Sequence, residues 1–288
     1  INVDTADSSI GASEHSLFQQ KVEGLNSSQL MWGTSNAENI SVSFWIKSSL
    51  TGTFTYYALD QGANSQSYVQ TFTIDSANTW EKKTFIIEGP TTGGTTDFPI
   101  TNAISFFTGI CLGVGSTHQT STTGSWHSTA NFAASTSSAV KLIGTASANM
   151  YVTGWQIELG NQVTPFEHRS FGEELALCQR YYYQFKAATS FMKIGHGRAY
   201  DTSNTTATYT VPVPMRANPT GGVSAASDVG VAGLSAGGTT GFTTNSERMD
   251  DLVRFAANVT RSGADMSSGT IYQVEADTLV EKKITYPA

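Results

Sequence analysis

The sequence predicts an all-β chain with two domains, and three observations carry that prediction. Only 14% of the 288 residues are charged, against roughly 25% in an average soluble protein, and Ser, Thr, Gly and Asn fill the polar positions instead. Thr and the aromatics suit a pleated surface, whereas the long Ala/Glu/Lys/Leu runs of surface helices are missing. Short alternating runs are separated by Gly/Ser/Asn/Thr turn clusters, the pattern of a sandwich or jelly roll. At this length two cores are expected, since domains commonly run about 100 to 150 residues.

The elements follow in order. INVDT alternates like a strand already under way, so the chain is expected to lack its first strand and whatever precedes it. Ile40, Val42, Phe44 and Ile46 alternate with Ser41, Ser43, Trp45 and Lys47; Phe85 and Ile87 alternate with Thr84, Ile86 and Glu88. Ile104, Phe106, Ile110, Leu112 and Val114 share one parity. GPTTGGTTDFP and GSTHQTSTTGSWHSTAN read as loops at the sandwich ends.

From Tyr151, the residues Tyr151, Thr153, Trp155, Ile157 and Leu159 share a parity, predicting a strand with that set buried. Gly160 and Asn161 end it, and Pro165, lacking an amide donor, directs the chain out of the sheet. Ser170 followed by Glu173 is a capping-box pair, so a short helix is expected to start there, with Leu175, Cys178 and Tyr182 on one side. The expected layout is therefore a first domain over 1–169, a helical joint over 170–180 and a smaller β domain over 181–288. Strand-like runs in the last part are YYYQFKAAT, FMKIGHGRAY, TTATYTVPVPM, DLVRFAANV and TIYQVEADTLVEKKITY, with Pro212, Pro214 and Pro219 marking an edge or exit. The Gly/Ala/Ser/Thr stretch from Gly221 to Gly241 reads as a loop or as thin, closely packed strands.

Charge and motifs narrow the chemistry. A net charge of −7 without a basic patch argues against a nucleic-acid partner. No apolar run approaches the roughly 20 residues that span a bilayer, which predicts no membrane insertion. Cys111 and Cys178 lack metal or disulfide-framework spacing and are expected reduced. Gly233 to Gly237 fits G-x-S-x-G but lacks the flanking strand and helix of a nucleophile elbow. His118 and His127 share a loop without metal-ligand spacing, and the adjacent carboxylates Glu173–Glu174 and Asp250–Asp251 are poorly placed to converge on one substrate. No catalytic machinery and no required cofactor are expected.

Aromatic residues are the candidate binding groups, because flat apolar rings stack on sugar faces. Trp45 and Phe107 each sit opposite their strand's apolar parity, and Trp126 lies in a polar loop, so all three are expected to point outward. Such rings serve a sugar platform, a contact with a neighbouring chain, or a cluster under a loop.

The run TGxQxE, then TPFEHRSxxEELxLCQRYY, resembles a segment recurring in tail-fibre and other structural proteins of bacteriophages, notably marine ones. LFQQKVEGLNSSQLMWGTSNAENISVSFWIKSSLTGTFTYY and TIDSANTWEKKTFIIEG are similar to that family's jelly-roll module, which itself resembles carbohydrate-binding modules of xylanases. The resemblance covers roughly the first 185 residues; beyond them VPVPMRANPT resembles the start of a smaller β unit. It implies a jelly-roll N-terminal domain in a virion protein, a tail fibre, spike or capsid appendage assembled in the bacterial cytoplasm. It also implies a homotrimer that contacts other virion proteins and a host-surface glycan. The resembling modules often hold a structural calcium, for which Asp4, Asp7 and Glu23 are available oxygen ligands. Two alternatives stay open: the carbohydrate-binding region of a secreted glycanase, and a capsule depolymerase.

Overall fold

The computed structural model describes residues 1–62, 66–136, 139–186, 192–217, 220–222, 229–231, 239–245, 254–261, 271–276 and 281–285. It is mostly β-sheet, with several antiparallel sheets and few helices. The chain divides into two compact units, Ile1–Glu167 and His168–Ala288.

In the first unit the strands are β1 (His15–Glu23), β2 (Ile40–Ser48), β3 (Gly52–Asp60), β4 (Ser67–Ile74), β5 (Glu81–Ile87), β6 (Ile104–Val114), β7 (Gln119–Thr120), β8 (Trp126–His127), β9 (Ala133–Ala134) and β10 (Met150–Leu159). Two four-residue helices, α1 (Gly24–Ser27) and α2 (Gly94–Asp97), sit in its connections. The two larger sheets have the orders β1-β6-β3-β4-β8 and β10-β2-β5, all neighbours antiparallel, and β7 pairs with β9 in parallel. The strand expected at INVDT is reduced to a single bridge, Asn2 to Asn149.

The two sheets pack face to face through the alternating residues. Ile40, Val42, Phe44 and Ile46 of β2 meet Phe54, Tyr56 and Ala58 of β3, with Phe72 of β4 and Phe106, Ile110 and Leu112 of β6, in one buried cluster. Ring contacts cross the layer: Phe44 lies edge-on to Phe72 at 5.4 Å and Tyr56 edge-on to Phe85 at 4.7 Å. The Tyr56 hydroxyl, fully buried, is satisfied by the Thr108 hydroxyl, as a buried polar group requires.

The outer face of the five-stranded sheet is partly covered. Tyr57, Cys111, Val114, Phe132 and Ala133 form a second buried cluster there. Burial pushes the Cys111 thiol up to about 12, which leaves it a packing residue without reactive thiolate.

The second unit begins with α3 (Phe171–Gln179), whose Ser170 side chain accepts from the Glu173 amide while Glu173 reaches back to the Ser170 amide at 3.0 Å. The helix is mostly exposed, with Leu175 41% and Leu177 47% accessible. Its strands are β11 (Tyr183–Lys186), β12 (Met192–Ala199), β13 (Asn204–Thr210), β14 (Thr220–Gly222), β15 (Val229–Val231), β16 (Thr239–Asn245), β17 (Arg254–Arg261), β18 (Ile271–Ala276) and β19 (Glu281–Thr285). They form antiparallel sheets of order β11-β19-β14 and β15-β18-β12-β13-β17-β16. Gly233–Gly237, Asp250–Asp251 and Pro219 lie outside the described residues.

Candidate functional site

The outward face of the β10-β2-β5 sheet carries a ringed patch. Side chains alternate across a strand, so burying Phe44 and Ile46 turns Trp45 and Lys47 to solvent. Register then sets their neighbours. Tyr151 of β10 pairs with Lys47, Thr153 pairs with Trp45, and Lys82 of β5 pairs with Trp45 from the other side. Trp80, one position before β5, completes the row beside Lys47. The result is two rows of three, Tyr151–Lys47–Trp80 and Thr153–Trp45–Lys82. The Lys47 ammonium lies 4.7 Å from the Tyr151 ring centroid and 5.3 Å from that of Trp80, within cation–π range. Trp45, Trp80 and Tyr151 are 42 to 44% exposed.

One glycine makes this arrangement possible. Between Thr153 and Gln156 the register slips, so that Gly154 and Trp155 together oppose Phe44. Gly154 adopts φ +58°, the left-handed conformation of a glycine bulge. The bulge shifts parity within β10. Met150 and Val152 pack on the core before it and Trp155 and Ile157 after it, while Tyr151 and Thr153 face outward. The expectation that Tyr151 and Thr153 share the buried face of Trp155 is thereby corrected. Trp155 itself stacks on Phe44 at 4.8 Å with 13° between planes, and Leu159, at the strand end, is 53% exposed.

The other half of the same face is occupied by the chain itself. After Gly160 the segment to Glu167 folds back over it. Ser41 donates to the Gln162 carbonyl at 3.0 Å, Gln156 accepts from the Glu167 amide at 2.7 Å, and Glu158 accepts from the Thr164 amide at 3.1 Å. Desolvation of the Glu158 carboxyl is outweighed by the hydrogen bonds from Thr164 and Gln156 together, which hold it below its ordinary value. The exit directed by Pro165 is therefore a strap bound to Ser41 of β2 and to Gln156 and Glu158 of β10, beside the ringed half.

The residues singled out in the sequence take different places. Trp45 is at the centre of the patch. Phe107 is half-buried on the outer face of the other sheet, between Lys21 of β1 and Leu59 of β3. Trp126 is not an outward loop residue: it lies on β8, packs against Trp32, Tyr68 and Phe98 at 5.4 to 5.8 Å, and donates its indole N–H to the Glu88 carbonyl at 2.7 Å. The polar sequence around it concealed an aromatic cluster built from segments distant in the chain. Trp80, Tyr151 and Lys47 were not singled out as site residues. Lys47 shares Trp45's parity, a signal visible in the sequence, whereas Tyr151 is masked by the bulge and Trp80 by its place beside a turn.

Asp4 and Asp7 are exposed in the N-terminal segment, where Asp7 accepts from the Ser9 amide at 3.1 Å, and Glu23 is buried at the end of β1. They do not assemble, and among the described residues no group of three His, Cys, Asp or Glu side chains is placed to hold a metal ion. His118 contacts His15 at 5.3 Å and the Ala130 carbonyl at 3.0 Å, and His127 contacts the Thr122 carbonyl at 2.9 Å.

A buried polar cluster lies where the β3–β4 connection meets α2. Asp60 and Asp97 are 3% and 0% exposed. Gln66 joins them, its amide donating to Asp60 Oδ2 and its Nε2 to Asp97 Oδ2, each at 2.9 Å. A side chain at Gly62 would drive its Cβ to 2.4 Å from the Asp97 Cα, so only glycine fits between them. Burial first, with repulsion from Asp97 adding to it, raises the Asp60 carboxyl to about 6, although the Gln66 and Gly62 amides pull the other way. The folded state thus holds a proton that the unfolded state releases near 3.8. Stability is fully present below that value, falls as pH rises towards about 6, and is level above it. Asp60 therefore withdraws part of its stabilisation between those two pH values. Urea unfolding at pH 4 and pH 7 is expected to show this drop shrinking in Asp60→Asn. An unchanged drop would assign the dependence to other groups.

Compared with protein-family models and with curated proteins, the sequence matches none.

Proposed function

We propose that this chain is a non-enzymatic structural protein of a bacteriophage particle, a fibre, spike or appendage subunit. Its first unit is a carbohydrate-binding-type jelly roll that adheres to host-surface glycan. The observation that carries the adhesive part is the open half-face bearing Trp45, Trp80 and Tyr151. Of three large rings left 42 to 44% exposed on this face, Trp45 and Tyr151 are set by cross-strand pairing and Trp80 by its place beside β5. Rigid aromatic surface binds at little entropic cost, and contiguous exposed apolar patches mark interaction sites. The strap over the remaining half-face confines access to these rings. The virion assignment and the trimeric state rest on the resemblance of the Tyr151–Phe185 stretch and the upstream segments to phage structural proteins.

The test is a glycan screen with the full chain, repeated with Trp45→Ala. Binding to at least one glycan class is expected, weakened at least tenfold by the substitution, about 1.4 kcal/mol. Its melting temperature should stay close to that of the parent, because a half-exposed ring contributes little to the core. No glycan bound, or equal binding by the variant, would overturn the adhesive reading. Light scattering should report a trimer; a monomer at micromolar concentration would overturn the fibre assignment.

A further inference from the structure

We infer that the patch takes an acidic saccharide, one whose sugar rings carry carboxylate or sulfate groups. The inference rests on the adhesive reading above and adds the substrate class.

The carrying observation is the placement of positive charge among the rings. The chain as a whole is acidic, with 23 Asp and Glu against 16 Lys and Arg. Yet the two outward rows Tyr151–Lys47–Trp80 and Thr153–Trp45–Lys82 contain two lysines and no carboxylate. Lys47 has no ion-pair partner among the described residues. Its ammonium is held instead by the faces of Tyr151 and Trp80 at 4.7 and 5.3 Å. Cation–π contact fixes the position of a charge without neutralising it. Lys82 feels the Glu158 carboxylate electrostatically, while its neighbour Lys83 is the lysine tied to Glu81 at 2.6 Å and Asp75 at 3.9 Å. Ion pairing is therefore concentrated on Lys83, away from the patch lysines.

The spacing fits such a ligand. Adjacent strands lie about 4.8 Å apart and same-face residues along a strand about 6.6 Å apart. Ring, ammonium and ring in one row thus span roughly 10 Å. A sugar stacked on Tyr151 or Trp80 puts an acidic substituent beside Lys47, and a neighbouring sugar on Trp45 puts one beside Lys82. A neutral glycan would use the rings and leave the Lys47 ammonium without an anionic partner. A lysine serving only to cover aromatic surface with its stem would have no effect on ligand choice, and that difference is measurable.

The experiment uses the full chain with immobilised polygalacturonate as the carboxylate probe, a sulfated galactan as the sulfate probe, and unsubstituted galactan as the neutral comparison. Binding to an acidic probe is expected to exceed neutral binding at least tenfold. It should weaken severalfold as NaCl rises from about 50 mM to about 300 mM, because exposed charges are screened. Lys47→Met should lower it at least tenfold, Lys47→Arg should largely restore it, and Lys141→Gln, a surface lysine outside the patch, should leave it unchanged. Which acidic probe binds tells carboxylate from sulfate. Equal, salt-independent binding to neutral and acidic probes that still needs Trp45 would overturn this inference and leave the platform standing. If no probe binds and a broad glycan screen is also blank, the platform reading fails and this inference with it.

Discussion

Phe44→Ala is expected to lower the unfolding free energy of the first unit by about 4 kcal/mol, and Trp45→Ala, one residue along the same strand, by under about 1 kcal/mol. Phe44 has no solvent exposure and bridges both sheets. It meets Phe72 at 5.4 Å across the layer, Phe85 at 6.0 Å on the adjacent strand, and stacks with Trp155 at 4.8 Å. Truncation removes the transfer free energy of the ring and leaves a cavity that close-packed neighbours cannot refill. Trp45 is larger but 43% exposed, so its loss strips surface contacts alone. Guanidinium unfolding of the full chain, followed by circular dichroism, checks the pair. Equal costs for the two substitutions would mean that the faces of β2 are not divided as described. A ring outside the core can be exchanged without unfolding the sheet that presents it, so the proposed binding role of Trp45 can be tested apart from stability.

Deleting Gly154 is expected to have the larger effect of the two changes in β10, abolishing the stable fold of the first unit. The bulge absorbs one residue, and without it a single strand parity must serve both halves. Either Met150 and Val152 or Trp155 and Ile157 then turn to solvent. At about 1.5 to 3 kcal/mol for each large apolar side chain, that loss is about 5 kcal/mol, comparable with the whole stability of a typical domain. Gly154→Ala keeps the residue count and is expected to cost only about 1 to 2 kcal/mol, the strain of a Cβ at positive φ. An added Cβ there sits 3.4 Å from Trp45 Cδ1, an ordinary contact. Soluble yield and the cooperativity of thermal unfolding separate the two variants. A folded deletion variant with native core packing would show that the register does not depend on the bulge.

Several features were legible because they are local. The alternation of Ile40, Val42, Phe44 and Ile46 against Trp45 and Lys47 follows from the two-residue period of a strand. The Ser170–Glu173 capping box needs only the spacing of two side chains along one helical turn. Gly160, at φ +102°, and Asn161 end the strand, as turn residues do, and Pro165 lies within the segment that has left the sheet. Trp126 was misplaced because a polar neighbourhood in sequence says nothing about which rings arrive from β4, from the segment before β2 and from the α2 connection. Asp60 and Asp97 were unremarkable in sequence, since each becomes unusual only by being buried beside the other.

By itself, then, the sequence determined that the chain is β-built, which face of β2 is apolar, and where β10 ends and a capped helix begins, since each is set by contacts a few residues apart. Only the tertiary structure decided that Tyr151, Lys47 and Trp80 share one row, that Gly154 reverses the faces of β10, and that the segment after Gly160 straps back onto β2 and β10. Those outcomes depend on cross-strand register between segments distant in the chain. Register is chosen by the packing of the whole core, which no local period encodes.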